Sequence, residues 1–246
     1  MPAISIGRVR IGETPRLVAA ITGPQVPGQP AAARRAGADL AEFRLDYLAH
    51  LPDDRLVETA RKAARRSPLP VIATLRPSRE GGSSHEGAAA DEKRREAVLC
   101  AIVPHVHAVD IELSSLALPA VVTAARKAGI TIIVSYHHFQ STPSLGRLVA
   151  LAQLAKAKGA DVVKVVTMAR TPVEVLRLLS LLSERPGWPI AAFAMGPHAL
   201  LSRVMGSFCR SALLYGALPG AGRVSAAPGI PTITDLKAAF RQFRLG

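Results

Sequence analysis

The chain alternates short apolar segments with amphipathic helical segments, and this alternation constrains its fold more than any other feature. Eight segments rich in Val, Ile, Leu and Ala have the length and composition of buried strands. The predicted strands cover residues 16–22, 40–45, 71–76, 108–113, 131–137, 161–168, 190–195 and 212–217. Because strands that alternate with helices form a parallel sheet, the pattern predicts an α/β protein.

A helical pattern follows each predicted strand. The predicted helices cover roughly residues 30–36, 54–64, 88–103, 119–127, 143–158, 172–182, 197–209 and 232–243. Several begin at proline, whose missing N–H costs no hydrogen bond in the first turn. Thr142 and Thr171 precede two of these prolines, and we expect their hydroxyls to cap the helices.

Eight such units in 246 residues predict a closed (β/α)8 TIM barrel, with residues 1–246 forming a single domain. The alternative is an open doubly wound sheet, which usually carries a glycine-rich phosphate turn after its first strand. Thr22-Gly23-Pro24 is not such a turn. Residues 4–11, before the first barrel strand, are predicted to form a short hairpin that closes the bottom of the barrel.

Charge and cysteine content limit the partners that we expect. The net charge is +13, but the basic residues are scattered over predicted helices and do not alternate with aromatic residues, so no nucleic-acid partner is predicted. No segment approaches 18 uninterrupted apolar residues and no secretory signal is apparent, so no membrane partner is predicted. Cys100 and Cys209 are far apart and are predicted to be buried reduced thiols of a cytoplasmic protein.

Lys164 is the most informative single residue. It lies inside the predicted strand 161–168, between Val163 and Val165, with no acid nearby. Burial of a lone ammonium group lowers its pKa, and a neutral amine is a nucleophile toward carbonyl groups. The alternative is an edge strand that points Lys164 into solvent.

Polar side chains cluster at the carboxyl ends of the predicted strands, where barrel enzymes have their active sites. They are Glu42, Arg44 and Asp46 on the second strand, Arg76 and Glu80 after the third, Asp110 and Glu112 on the fourth, Ser135 and His137 on the fifth, Lys164 on the sixth, Phe193 and Met195 on the seventh, and Arg203 in the next helix. Asp46 and Glu112 could instead form structural ion pairs. Charged groups from six consecutive strands are hard to explain by packing alone, because burial of charge is costly.

Two histidine pairs raise a metal hypothesis. Adjacent residues of a strand point to opposite faces, so His137 and His138 are poor co-ligands. His105 and His107 have suitable spacing, but no third ligand is apparent. The sequence therefore predicts no metal site.

Six sequence blocks follow one another over essentially the whole chain. They are EFRLD at 42–46, TLRPSREGG at 74–82, SYHHFQSTP at 135–143, GADVVK at 159–164, MG to SR at 195–203, and APG at 227–229. In this order and spacing they resemble type I 3-dehydroquinate dehydratase, the Schiff-base-forming lyase of the shikimate pathway. The resemblance implies a hydro-lyase that converts 3-dehydroquinate to 3-dehydroshikimate by syn elimination of water, without a cofactor.

The resemblance also implies roles for the catalytic residues. Lys164 is expected to form an imine with the ring ketone, which makes the neighbouring C–H acidic. His137 is expected to take that proton and to donate one to the departing hydroxyl, as a group that titrates near neutrality. Glu80 is expected to orient His137.

The implied substrate-binding residues surround these three. Arg203 is expected to bind the substrate carboxylate with its planar guanidinium group. Glu42, Arg44 and Arg76 are expected to hold the ring hydroxyls, while Met195 and Phe193 exclude water. The further expected binding residues are Tyr215, Ala226, Ala227 and Ile230. A homodimer is also expected from the resemblance.

Four positions depart from the family pattern. His138 replaces the usual Asp, Phe193 replaces a common Met, and Ala226 and Ile230 replace the usual Ser and Gln. A lost glutamine removes hydrogen bonds to the substrate, which leaves two other hypotheses open. One is a different Schiff-base barrel such as a class I aldolase, and the other is a non-catalytic binding protein that descends from the enzyme.

Overall fold

An eight-stranded parallel barrel forms the centre of the computed structural model, which describes residues 4–23, 28–83, 91–184, 187–219 and 227–243. The barrel strands are β3 (Arg16–Ile21), β4 (Leu40–Arg44), β5 (Val71–Thr74), β6 (Ala108–Glu112), β7 (Thr131–His138), β8 (Val162–Met168), β9 (Ile190–Met195) and β10 (Leu213–Ala217). They pair in the order β10-β3-β4-β5-β6-β7-β8-β9. At the remaining seam the Ala212 N–H donates to the Ile190 carbonyl at 2.8 Å. The predicted TIM barrel and all eight predicted strands are confirmed.

Helices follow the barrel strands, as the pattern predicts. They are α1 (Gln29–Ala36), α2 (Asp53–Arg66), α3 (Glu92–Ile102), α4 (Leu118–Ala128), α5 (Leu145–Ala157), α6 (Pro172–Ser183), α7 (Ala199–Phe208) and α8 (Ile233–Gln242). The Thr171 hydroxyl caps α6, and Glu174 completes a capping box there. Among the described residues, none of these helices has the length and apolarity needed to cross a membrane.

Two predicted helix starts are wrong. Helix α5 begins at Leu145 with Ser144 as its cap, because the predicted cap Thr142 uses its hydroxyl to bind the Met168 carbonyl of β8 at 2.9 Å. Helix α7 begins at Ala199 rather than at residue 197. Helix α3 begins at Glu92, and the predicted residues 88–90 lie outside the described part of the chain.

A short hairpin closes the amino-terminal end of the barrel, as predicted. Strands β1 (Ile4–Ile6) and β2 (Val9–Ile11) pair antiparallel. Ile6 and Ile11 are buried in the apolar cluster that fills the barrel interior. The Thr131 hydroxyl, at the start of β7, donates to the Ser5 carbonyl at 2.6 Å and ties the hairpin to the barrel.

Inside the barrel, the side chains change from apolar to polar within two residues of the start of several strands. Apolar side chains at the strand starts are followed on the same face by polar ones, because side chains alternate with a period of two. These buried pairs are Leu40 and Glu42, Ile72 and Thr74, Ala108 and Asp110, Ile133 and Ser135, and Val162 and Lys164. The fold therefore places a buried polar layer directly above an apolar one.

The two cysteines differ in part from the prediction. Cys100 and Cys209 are free thiols, as expected. Both are half-buried rather than buried, because they lie on helix α3 and at the end of α7, at the edge of the outer core.

Candidate active site

One cavity at the carboxyl end of the barrel collects every predicted site residue that the structure describes. Its lining includes Glu42, Arg44, Arg76, Glu80, His137, Lys164, Phe193, Met195, Arg203, Tyr215, Ala227 and Ile230. Ala226 lies outside the described residues. The lining also includes Phe139 and Val166, to which sequence reasoning assigned no role.

Lys164 is buried at this cavity between two carboxylates. Its Nζ lies 2.8 Å from Asp110 Oδ2 and 3.4 Å from Glu42 Oε1. The expectation of a lysine without a nearby acid is wrong, because β6 and β4 bring these carboxylates from 54 and 122 residues away. The edge-strand alternative is also wrong, since β8 lies between β7 and β9.

Asp110 is one of the polar residues that the sequence placed at the strand ends, but sequence reasoning assigned it no role in the site. Its second oxygen, Oδ1, lies 2.8 Å from Arg76 Nη2 and accepts from the Ser135 hydroxyl at 2.6 Å. Burial alone would raise the pKa of Asp110, but Arg76 and Lys164 outweigh it and hold the pKa well below its ordinary value. Asp110 therefore stays ionised beside Lys164. The available signal was its alternation with Glu112 on β6.

The remaining acids at the strand ends form structural ion pairs. Glu112 binds Arg76 and the buried Arg95 of α3. Asp46 accepts two hydrogen bonds from Arg44, both at 2.9 Å, and one from the Ser83 N–H. Neither acid lines the cavity, so the structural alternative holds for both.

His137 lies at the cavity wall with Glu80 behind it. The Nδ1 atom of His137 lies 3.2 Å from Glu80 Oε2, and Glu80 Oε1 accepts from the Ser114 hydroxyl at 2.6 Å. Burial, reinforced by Arg76 and Lys164, lowers the pKa of His137 well below its ordinary value of 6.5. The expectation of a group that titrates near neutrality is therefore wrong for the free protein. A neutral imidazole that donates Nδ1–H to Glu80 leaves Nε2 as a proton acceptor.

The loop that carries Glu80 depends on the two glycines after it. A Cβ at Gly82 would lie 2.0 Å from the Arg76 carbonyl oxygen, so only glycine fits there. The Gly81 carbonyl accepts from Arg44 Nη2 at 3.0 Å. The EGG block thus packs the loop closely against β5 and fixes Glu80 at the cavity.

Arg203 is a buried cation held by backbone carbonyls. Its Nε donates to the Tyr215 carbonyl at 2.6 Å, and its Nη1 donates to Ala194 and Ala199 carbonyls at 2.9 and 2.8 Å. Burial lowers the pKa of Arg203 to about 9, so it is still charged at neutral pH. No acid of the described residues pairs with it, and an anionic ligand group therefore finds an uncompensated charge there.

The APG segment packs against the loop after β9. The Gly196 N–H donates to the Pro228 carbonyl at 2.9 Å. Gly229 has φ +70, and a Cβ there would lie 2.4 Å from the Gly196 carbonyl oxygen. This close approach brings Ala227 and Ile230 to the cavity.

His138 points away from the cavity, as alternation along β7 predicts. Its Nδ1 lies 2.8 Å from the Ser141 carbonyl oxygen and 3.2 Å from the Ser141 backbone nitrogen, and its ring stacks on Tyr136. His107 Nδ1 instead accepts from the Val71 N–H at the start of β5. In the described ranges no cluster of three or more His, Cys, Asp or Glu side chains is placed to hold a metal ion.

Comparisons with known proteins all point to one family. The type I 3-dehydroquinase family model matches residues 17–245. A 3-dehydroquinate dehydratase from Methanosarcina barkeri is 35% identical over 238 residues, which cover 95% of this chain and 97% of the relative. One from Enterococcus faecalis is 31% identical and covers 99% of this chain and 98% of its own.

Solved structures of similar proteins have the same fold. The 3-dehydroquinate dehydratase from Geobacillus kaustophilus superimposes with a TM-score of 0.88 at 26% identity, covering 98% of this chain and 96% of that one. The Enterococcus faecalis structure gives a TM-score of 0.83 at 28% identity, with coverage of 98% and 99%.

Proposed function

This chain belongs to the type I 3-dehydroquinase family and catalyses the dehydration of 3-dehydroquinate in the shikimate pathway, and we propose that it does so through an imine on Lys164. The observation that carries this proposal is a buried lysine amine, held by two carboxylates, at the wall of a cavity that also contains His137 and an unpaired arginine. The substrate is a small molecule.

Lys164 forms the covalent bond in the proposed reaction. Its Nζ attacks the ketone carbon, two of the three ammonium protons leave with the ketone oxygen as water, and the third stays on nitrogen in the protonated imine. Asp110, at 2.8 Å from Nζ, keeps a negative charge beside this cation. The imine draws electrons from the neighbouring carbon, whose C–H becomes acidic enough for a modest base.

His137 moves the protons. Its low pKa keeps the imidazole neutral in the free protein, so Nε2 accepts the proton from the substrate carbon. The resulting imidazolium is stabilised by Glu80 through Nδ1 and then donates to the departing hydroxyl. Because His137 serves both proton transfers from one side of the ring, the proton and the hydroxyl leave from the same face, as in a syn elimination. Hydrolysis of the imine then releases the product.

Arg203 gives the substrate its orientation. Backbone carbonyls accept from Nε and from both hydrogens of Nη1, which fixes the plane of the guanidinium group and leaves Nη2 to donate to the substrate carboxylate. Glu42, Arg44 and Arg76 then face the ring hydroxyls. Phe193 and Met195 supply apolar wall that excludes water from the imine.

The APG segment closes the cavity without the usual polar side chains. Ile230 lines the cavity where the family pattern has glutamine, and we propose that it contributes apolar contact in place of a hydrogen bond. Ala226 and Ala227 are proposed to contact the substrate through the same segment. The loss of one substrate hydrogen bond at this position weakens binding but leaves the imine chemistry intact.

A direct assay tests the proposed function. Purified protein is mixed with 3-dehydroquinate, and the conjugated enone of the product is followed by ultraviolet absorbance. We expect saturable turnover without added metal or cofactor. With substrate stereospecifically deuterated at C2, loss of the label from only the epimer that carries it on the same face as the departing hydroxyl identifies syn elimination. An aldol cleavage product in place of the enone, or no turnover by folded protein, would contradict the proposal.

A homodimer is proposed to form through one apolar face. Seven of the nine exposed large apolar side chains in the described residues lie on consecutive helices: Val173 and Leu176 on α6, Leu200, Leu201, Met205 and Phe208 on α7, and Phe243 after α8. Helix α7 carries no exposed charge, since its only charged residue is the buried Arg203. Two copies of a chain with a net charge of +13 repel each other elsewhere, so the uncharged surface of α7 suits a second copy.

Sedimentation measurements test the homodimer. Leu201→Glu places a charge in the apolar face and is expected to give monomers, while the unaltered protein sediments as a dimer. Leu116→Glu is the matched control, because Leu116 is exposed on the loop before α4 and is expected to leave the dimer intact. A monomeric unaltered protein would rule out the dimer.

The remaining proposals concern the chain as a whole. We propose that residues 1–246 form one domain, which the family match over residues 17–245 supports. A cytoplasmic location is supported by the free thiols of Cys100 and Cys209, because reducing compartments keep thiols unpaired. Alkylation of both cysteines in freshly extracted protein without a reductant tests this location.

A further inference from the structure

The Tyr215 hydroxyl is a buried polar group that lacks a hydrogen-bond partner. Tyr215 lies on β10 and is 3% exposed. In the described part of the chain, only its hydroxyl and Trp188 Nε1 are buried side-chain donors without a partner. A buried hydroxyl that leaves water without gaining a hydrogen bond destabilises the folded protein, so such a group calls for a functional explanation.

The ring of Tyr215 is fixed at the reactive amine. Lys164 Nζ lies 3.9 Å from the ring centroid, and the Phe193 ring packs against Tyr215 with centroids 5.3 Å apart. Tyr215 also lines the cavity. These contacts place the Tyr215 ring between the reactive amine and Phe193 at the cavity wall.

The hydroxyl is a donor at every pH at which the protein would be assayed. Burial raises the pKa of Tyr215 well above its ordinary value, and Glu42 and Asp110 raise it further. The group is therefore a neutral O–H rather than a phenolate. The proposed proton transfers use His137 and do not involve the Tyr215 O–H.

We propose that the Tyr215 hydroxyl donates a hydrogen bond to an oxygen of the substrate ring when the substrate is held on Lys164. The inference rests on the proposed function, because a ligand bonded to Nζ lies against the Tyr215 ring. A ring with several hydroxyl groups offers acceptors there, whereas a deoxygenated analogue leaves the O–H unpaired. A site built to bind a hydroxyl discriminates strongly against analogues that lack it. Tyr215 is thus a specificity-determining residue.

Tyr215→Phe tests this role, because it removes only the hydroxyl. The variant is expected to melt at a higher temperature than the unaltered protein without ligand, since an unpaired buried group is gone. Its kcat/KM for 3-dehydroquinate is expected to fall about tenfold, the effect of one lost neutral hydrogen bond. A role in packing alone would not combine greater stability with lower activity.

Trp188→Phe is the matched control. It removes the other unpartnered donor, which does not line the cavity, and is expected to leave kcat/KM unchanged. Equal kcat/KM in Tyr215→Phe and the unaltered protein would overturn the inference while leaving the proposed function standing. A lower melting temperature of Tyr215→Phe would also overturn it, because the hydroxyl would then have a partner in the free protein. An unaltered protein that does not convert 3-dehydroquinate would overturn the proposed function and this inference together.

Discussion

The two ends of the barrel interior are built from the same strands but follow opposite rules. At the amino-terminal end the hairpin inserts Ile6 and Ile11 among buried apolar side chains. At the carboxyl end, two residues further along, Glu42, Asp110 and Lys164 are equally buried. Burial of an apolar side chain stabilises a protein, whereas burial of a charge is costly even when it is paired.

This difference separates stability from function within one barrel. The apolar end needs only shape and volume, and its residues can be exchanged for others of similar size. The charged end is retained at a cost in stability, because the groups that disfavour burial are the ones that bind and transform the substrate. Substitutions at the two ends are therefore expected to affect different properties.

Lys164→Met removes the amine at the centre of the charged end and has the largest expected effect on activity. The variant keeps the length of the side chain but has no amine, so kcat/KM is expected to fall by roughly 10⁴-fold or more. Asp110 keeps its ion pair with Arg76, so the melting temperature is expected to change little. Steady-state kinetics and thermal unfolding measure the two effects. Turnover close to that of the unaltered protein would rule out the imine.

Ile6→Ala shortens a buried side chain at the apolar end, and we expect it to change stability but not activity. Ile6 is fully buried under the barrel, so truncation is expected to lower the free energy of unfolding by about 2–5 kcal/mol. Denaturant unfolding measures this change, and kcat/KM per folded molecule is expected to stay the same. A loss of activity in folded Ile6→Ala would show that the two ends are coupled.

The buried imidazole at the charged end predicts a pH dependence of stability. The pKa of His137 in the folded protein lies well below 6.5, so the unfolded chain takes up this proton first as the pH falls. The free energy of unfolding is therefore expected to fall below pH 6.5 by up to about 1.4 kcal/mol per pH unit from this group. Well above pH 6.5, where the imidazole is neutral in both the folded and the unfolded chain, the group contributes no slope.

His137→Gln isolates this contribution. Gln does not titrate, so the difference in unfolding free energy between the two proteins is expected to be constant above pH 6.5 and to change below it. Denaturant titrations at several pH values measure the difference. Parallel profiles down to pH 5 would contradict the low pKa of His137.

His138→Asp has the smallest expected effect. It restores the usual residue of the family beside the proposed base, but the side chain points away from the cavity and contacts Ser141. The expected change in kcat/KM is less than about twofold, as for a surface substitution. A large change would show that both faces of β7 at this position serve the reaction.

The fold was predicted well because the sequence patterns that indicate strands and helices are local. Each apolar strand segment is bounded by turns and followed by an amphipathic helix, which indicates a parallel barrel without any knowledge of contacts. The errors arose where tertiary contacts override local signals. Thr142 has the right residue type and position for a helix cap, yet its hydroxyl binds the Met168 carbonyl 26 residues away.

The site was predictable in its members but not in its pairings. Alternation along the strands identified most polar residues of the cavity, since the carboxyl ends of parallel strands meet at one edge. The acids beside Lys164 were not predicted, because Asp110 and Glu42 approach it only when the barrel closes. The unpartnered Tyr215 hydroxyl could not be predicted either, because the sequence does not show which groups surround it in the fold.

Chemical trapping of the imine shows whether Lys164 is the residue that bonds to the substrate. Active protein is mixed with 3-dehydroquinate, reduced with borohydride, digested, and its peptides are weighed by mass spectrometry. With an imine on Lys164, we expect one ligand-sized adduct, on the peptide that contains Lys164, and no adduct in Lys164→Met. Unmodified Lys164 in protein that turns over 3-dehydroquinate, or an adduct on another lysine, would contradict it.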